Sequence, residues 1–76
     1  MIKVTAGIKN KSLHIFINST LHLSLYWEKI RGIHAYYDGD TCHIDISMDG
    51  LINPIHCEYD SERKWKAVLK ILSIYA

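Results

Sequence analysis

The stretch that decides the fold runs from residue 30 to residue 58, IRGIHAYYDGDTCHIDISMDGLINPIHCE, and contains two Asp-Gly pairs. Each pair, at residues 38–39 and 49–50, separates two segments in which apolar and polar residues alternate. Asp-Gly in this setting is a strong signal for a β-hairpin, because a tight hairpin turn needs residues that tolerate a positive φ. The stretch therefore predicts three antiparallel strands in succession.

The same period of two extends through the N-terminal half of the chain. Together the alternating segments predict strands at about residues 2–9, 13–18, 21–27, 30–37, 42–48 and 51–58. In the third segment Leu21 and Leu25 also have helical spacing, but a helix would place Leu23 on a different side, so a strand is favoured.

A helical period replaces the alternation at the C-terminal end, where Asp60 or Ser61 is a suitable N-cap. The residues of one apolar stripe follow at intervals of three and four, at Trp65, Val68, Leu69, Leu72 and Tyr75. The prediction is an α+β domain over residues 1–76, an antiparallel meander of five or six strands with one amphipathic helix, at about 61–75, packed on one face. We expect Trp27, Tyr37, Trp65 and Tyr75 in its core.

Composition limits the classes of function. The chain has 76 residues, of which 49% are hydrophobic, and a net charge of +1 with neutral histidines. So short a chain has little interior, and its apolar content predicts self-association or another protein partner. The net charge is far below that of a typical nucleic-acid-binding domain. There is no apolar run of membrane-spanning length, and the first residues, MIKV, begin a strand rather than a signal peptide. We therefore expect a cytoplasmic protein with no membrane contact.

The last predicted hairpin places cysteine and histidine on opposite faces. With a two-residue turn at 49–50, Cys42 is opposite Cys57 and His43 is opposite His56. Neighbours on a strand point to opposite faces, so both cysteines lie on the apolar face and both histidines on the reverse. This excludes a zinc site with two Cys and two His ligands, unless the turn is longer by an odd number of residues. In a reducing compartment the cysteines are expected as free thiols rather than a disulfide.

The polar face of the same strands carries a row of histidines. A two-residue turn at 38–39 would place His34 opposite His43, in line with His56, whereas a four-residue turn would place His34 opposite Asp45. Asp45 and Glu58 share this face. A solvated polar face is the favoured interpretation, and a metal or small-ligand site at His34, His43 and His56 or a pH-responsive surface are the alternatives. We expect no cofactor.

Two sets of residues are candidates for partner contact. The outward aromatic residues of the predicted sheet are Phe16, Tyr26 and Tyr36, and a basic stripe on the predicted helix consists of Arg63, Lys66 and Lys70. No arrangement of nucleophile, acid and base and no glycine-rich phosphate loop is visible, so we do not expect an enzyme. The prediction is a non-catalytic module that acts through protein–protein contact, self-associating or as an accessory of a larger assembly. Single-stranded nucleic acid, bound by the same aromatic and basic residues, is the alternative partner.

Overall fold

The computed structural model describes all 76 residues and contains six strands, one 3₁₀ turn and one α-helix. In chain order these are β1 (Ile2–Gly7), β2 (Ser12–Ile17), β3 (Thr20–Tyr26), the 3₁₀ turn Trp27–Lys29, β4 (Ile30–Asp38), β5 (Thr41–Met48), β6 (Ile55–Tyr59) and α1 (Glu62–Tyr75). The predicted α+β class, with antiparallel strands and a C-terminal helix, is confirmed. The segment that contains Leu21, Leu23 and Leu25 is a strand.

The single meander is not confirmed, because the strands form two three-stranded sheets, β1-β2-β3 and β4-β5-β6. The sequence between β3 and β4, Trp27-Glu28-Lys29, has no Gly or Asn for a tight hairpin and forms a 3₁₀ turn instead. Backbone hydrogen bonds attach this turn to other loops: Trp27 N donates to the Lys11 carbonyl at 3.0 Å, and Asp49 N donates to the Lys29 carbonyl at 2.8 Å. The chain therefore leaves one sheet and starts another.

Both sheets and the helix contribute to one core. Its twelve buried residues are Leu13, Ile15, Leu23, Leu25, Cys42, Ile44, Ile46, Met48, Cys57, Tyr59, Val68 and Leu72. Trp27, Trp65 and Tyr75 are half-buried against this cluster, and the rings of Trp27 and Tyr75 lie 5.1 Å apart. Tyr37 was expected in the core but is 62% exposed. It lies near the end of an edge strand, whereas α1 packs mainly on β5 and β6.

Two turns differ from the simplest prediction, the first in its position and the second in its length. The first hairpin turns at Gly39-Asp40, with Asp38 opposite Thr41, so His34 is opposite Asp45. In the second, β6 starts only at Ile55, so residues 49–54 form a loop and residues 51–54 are not strand. The partner of His43 is consequently Glu58 rather than His56. The shift is even, and each side chain therefore keeps its predicted face.

A polar contact joins the two sheets at His22. A register irregularity between Ile15 and Phe16 leaves His22 of β3 with no residue opposite it on β2. The Nε2 atom of His22 lies 2.6 Å from the hydroxyl oxygen of Tyr59 on β6. Burial raises the pKa of Tyr59 and lowers the pKa of His22, so a neutral phenol and a neutral imidazole share this hydrogen bond near pH 7.

The packing of Trp65 generates a first prediction. Its indole Nε1 donates a hydrogen bond to the backbone carbonyl of His43 at 2.9 Å, and its ring packs on the core. Trp65→Ala should lower the free energy of unfolding by about 3–5 kcal/mol, and Trp65→Phe, which keeps an aromatic ring, by about 1–2 kcal/mol. Lys66→Ala is the matched control on the exposed side, with an expected change within about 0.5 kcal/mol. Chemical denaturation measures all three, and equal losses for Trp65→Ala and Lys66→Ala would contradict the placement of the helix.

The contact at His22 generates a second prediction, on pH. Because the folded protein lowers the pKa of His22, the unfolded chain binds more protons at mildly acidic pH. This contribution to stability is complete above the ordinary histidine pKa of about 6.5 and is lost as the pH falls below it. In His22→Phe the free energy of unfolding should depend less steeply on pH between about 5 and 7. Tyr59→Phe, which removes the hydrogen bond but keeps His22, should be less stable by about 1 kcal/mol and retain the wild-type slope. Parallel slopes for wild type and His22→Phe would exclude the effect.

Candidate functional site

The outer face of the β4-β5-β6 sheet carries a continuous row of rings. The rings of Tyr36 and His43 are stacked, with centroids 4.8 Å apart and 14° between their planes. His34 continues the row beyond Tyr36, at 5.2 Å, and His56 continues it beyond His43, at 5.1 Å. These side chains share one face because they occupy alternate, opposite or diagonal positions on three paired strands.

At one end of the row His56 lies between two carboxylates. Its Nδ1 is 2.5 Å from Asp45 Oδ1, and its Nε2 is 3.3 Å from Glu58 Oε1. Asp45 is directly opposite His56 on β5, and Glu58 follows two positions later on β6, on the same face. Hydrogen bonds to Asp45 and then to Glu58 raise the pKa of His56.

His43 occupies the middle of the site and is 8% exposed. Its Nδ1 is 3.3 Å from His56 Nε2 and 4.0 Å from Glu58 Oε1, whereas its Nε2 is buried without a hydrogen-bond partner. From the other face of the sheet, the indole of Trp65 binds the backbone carbonyl of His43. The strand that carries His43 is thus packed against the helix, while the ring points toward the polar cluster.

The structure brings together only two of the three predicted histidines. His43 and His56 are adjacent, but His34 lies next to Tyr36 and does not take part in the cluster. Glu58 completes a triad instead, since the ligand-type atoms of His43, His56 and Glu58 all lie within 4.8 Å of one another. The sequence placed Glu58 on this face but not opposite His43, because it could not reveal the length of the 49–54 loop.

Cys42 and Cys57 lie on the opposite, inner face, where both are buried free thiols. They are not opposite each other, since Cys57 pairs with Ile44 and Cys42 with Tyr59. Burial raises the pKa of Cys57, so its thiol keeps its proton near neutral pH. The cysteines and the histidine rings therefore do not share a metal site.

The predicted contact residues are distributed over three elements. Phe16 and Tyr26 belong to the first sheet and Tyr36 to the second, so they do not form the single aromatic face expected from one meander. The basic residues of α1, at Arg63, Lys66 and Lys70, are all exposed. Lys66 forms an ion pair with Glu62 at 2.9 Å, and Arg63 and Lys70 form none. The role of all six in partner binding stays a prediction.

An apolar surface that sequence reasoning missed lies on the loop between β5 and β6. Leu51 is 53% exposed and Ile52 is 99% exposed, although the sequence predicted both within a strand. Two surface depressions of about 400 and 390 Å³ adjoin this loop, and Met48 and Leu51 line both. Tyr26, 57% exposed, borders the second depression. We call Tyr26, Leu51 and Ile52 the loop patch.

The contact between Asp45 and His56 generates a third prediction. In Asp45→Asn the pKa of His56 should fall toward the ordinary histidine value, because the acceptor that stabilises the charged imidazole becomes neutral. Asp49→Asn, in the neighbouring loop, is the matched control and should leave the pKa of His56 unchanged. Nuclear magnetic resonance titration of the imidazole C–H signals, with a chelator present, measures the change. An equal pKa of His56 in wild type and Asp45→Asn would contradict the contact.

Comparisons with known proteins give no indication of function, so the functional proposal rests on the geometry described above. No protein-family model, curated protein or solved structure matches the chain. The one α-helix, of 14 residues, is too short to cross a lipid bilayer.

Proposed function

We propose that the protein is a small non-catalytic binding module that works through protein–protein contact, with a second copy of itself as its first partner. The observation that carries this proposal is the loop patch, where Ile52 is 99% exposed next to half-exposed Leu51. Two consecutive large apolar side chains that are exposed to solvent on a loop form the kind of surface that partner proteins cover.

The energy available from covering the patch is large for so small a protein. Burial of a Leu or Ile side chain contributes about 1.5–3 kcal/mol, and an aromatic side chain such as Tyr26 adds a comparable amount. Met48, which lines both depressions, is 8% exposed and belongs to the buried core, so it connects the patch to the core. An aromatic and two aliphatic anchors around shallow depressions match the central cluster of a protein interface.

Charge supports a second copy as the partner. The net charge of +1 gives little repulsion between two chains. The loop patch itself contains no charged side chain, and Arg31 at its border forms an ion pair with Asp49 at 3.4 Å. An apolar patch of this kind is complementary to itself across a two-fold axis, as a symmetric dimer requires.

Single-stranded nucleic acid is less well supported as a partner. Such ligands need aromatic rings and phosphate-binding cations along one groove. Here Tyr26 and Tyr36 belong to different sheets, and the carboxylates of Asp45 and Glu58 share the face of Tyr36. In the loop patch, by contrast, Leu51 and Ile52 are consecutive, and Tyr26 lines one depression together with Leu51.

Ile52→Lys tests the proposal. Light scattering over a concentration series should give a mass that rises toward twice that of the chain for wild type. In Ile52→Lys the dimer dissociation constant should increase by at least about 10-fold, which corresponds to about 1.4 kcal/mol. Ile8→Lys is the matched control, because Ile8 is 76% exposed and lies outside the patch. A wild-type protein that stays monomeric at millimolar concentration, or equal effects of the two substitutions, would overturn the proposal.

A further inference from the structure

We propose that His43, His56 and Glu58 form a binding site for a divalent transition-metal ion, and that zinc is the ion it suits best. The site lies on the outer face of the second sheet, and the inference is independent of the proposed function.

The separations of the three ligand atoms fit a tetrahedral ion. His43 Nδ1 and His56 Nε2 are 3.3 Å apart, His56 Nε2 and Glu58 Oε1 are 3.3 Å apart, and His43 Nδ1 and Glu58 Oε1 are 4.0 Å apart. Zinc bonds to imidazole nitrogen and carboxylate oxygen of about 2.0–2.2 Å imply separations of about 3.3–3.6 Å between ligands at tetrahedral angles. Two of the three edges are already at this length. The third closes with a small movement of Glu58, whose side chain is 64% exposed.

The donor set selects the class of metal. Two imidazole nitrogens and one carboxylate oxygen suit zinc and its neighbours among the transition metals, whereas calcium and magnesium prefer oxygen ligands alone. Three protein ligands leave the fourth tetrahedral position to water or another small ligand.

Asp45 accepts a hydrogen bond from the ring nitrogen of His56 that faces away from the proposed ion. Its Oδ1 lies 2.5 Å from His56 Nδ1, so the imidazole donates its Nδ1 proton to Asp45, and on zinc binding the Nε2 proton shared with Glu58 would leave and free the Nε2 lone pair for the ion. A carboxylate that holds the remote nitrogen of a ligating histidine is the usual outer-shell arrangement of protein zinc sites.

His43 supplies a rigid anchor. Its side chain is 10% exposed, its ring stacks on Tyr36, and its backbone carbonyl is held by Trp65. Since Nε2 is enclosed, Nδ1 is the ring atom that the fold presents to a ligand. Because His43 is already fixed, less side-chain conformational entropy is lost on metal binding than at a site made only of the more exposed His56 and Glu58.

Charge also favours a cation here. Neither Asp45 nor Glu58 forms an ion pair with any Lys or Arg, and both contact only histidines among basic residues. The two carboxylates thus leave a local negative charge that a dication would neutralise, on a chain whose net charge is close to zero.

Zinc titration of the full chain tests the site. Calorimetry measures the stoichiometry and affinity, and nuclear magnetic resonance of the imidazole signals shows which histidines respond. We expect saturation at one zinc ion per chain, with signal changes concentrated at His43 and His56. Glu58→Gln, on an exposed side chain that the fold does not need, and His56→Asn should each weaken binding at least about 10-fold, and Asp45→Asn by about 10- to 100-fold. His34→Asn is the matched control on the same face and should bind zinc like wild type.

Four results would overturn the proposal of a metal site. One is the absence of any signal change at equimolar zinc, which would leave the cluster as a proton-binding network only. A second is wild-type affinity in both His56→Asn and Glu58→Gln. A third is a loss in His34→Asn as large as that in His56→Asn. The fourth is a loss of zinc binding in Cys57→Ser with the histidine variants unaffected, which would assign the metal to the thiols. Zinc binding retained in Ile52→Lys would separate this site from the proposed dimer.

Discussion

The alternation of side chains along β5 is the constraint on which the rest of the structure depends. β5 is the central strand of its sheet, so a partner strand on each side fixes its register. Cys42, Ile44 and Ile46 enter the core, and His43 and Asp45 between them form the polar cluster. A slip of one residue would exchange the two sets and bury ionisable groups in place of apolar ones. The core and the candidate metal site are therefore two consequences of one pattern.

Size explains why the second sheet is needed. A chain of 76 residues has too little apolar area on any one sheet and helix to build a large interior. The 3₁₀ turn at Trp27–Lys29 lets the apolar face of β2 and β3 meet that of β5 with α1 in a single cluster. The His22–Tyr59 contact then satisfies polar groups where the sheets meet, and Tyr59 is only 4% exposed.

Features set by local chemistry could be predicted from the sequence, and features set by tertiary contacts could not. The period of two placed His43 and His56 on one face and the cysteines on the other, because that period is a property of every strand. β3 and β4 do not pair, and the turn between them is held by hydrogen bonds from Trp27 to Lys11 and from Asp49 to Lys29, which connect residues distant in sequence. The exposure of Tyr37 likewise depends on where the helix packs, which the periodicity of α1 does not specify.

The loop patch and the candidate metal site have a common origin in the length of the 49–54 loop. A two-residue turn at Asp49-Gly50 would continue the strand through Leu51 and would place His56 opposite His43. The observed loop instead releases Leu51 and Ile52 from the sheet and advances β6 so that Glu58 is opposite His43. Pro54 favours the longer loop. Proline has no backbone N–H to donate to a strand partner, so pairing of the edge strand β6 starts after it. The same residues that make the loop long therefore create an exposed apolar surface at one end of β6 and bring a third candidate ligand, Glu58, to the two histidines at the other.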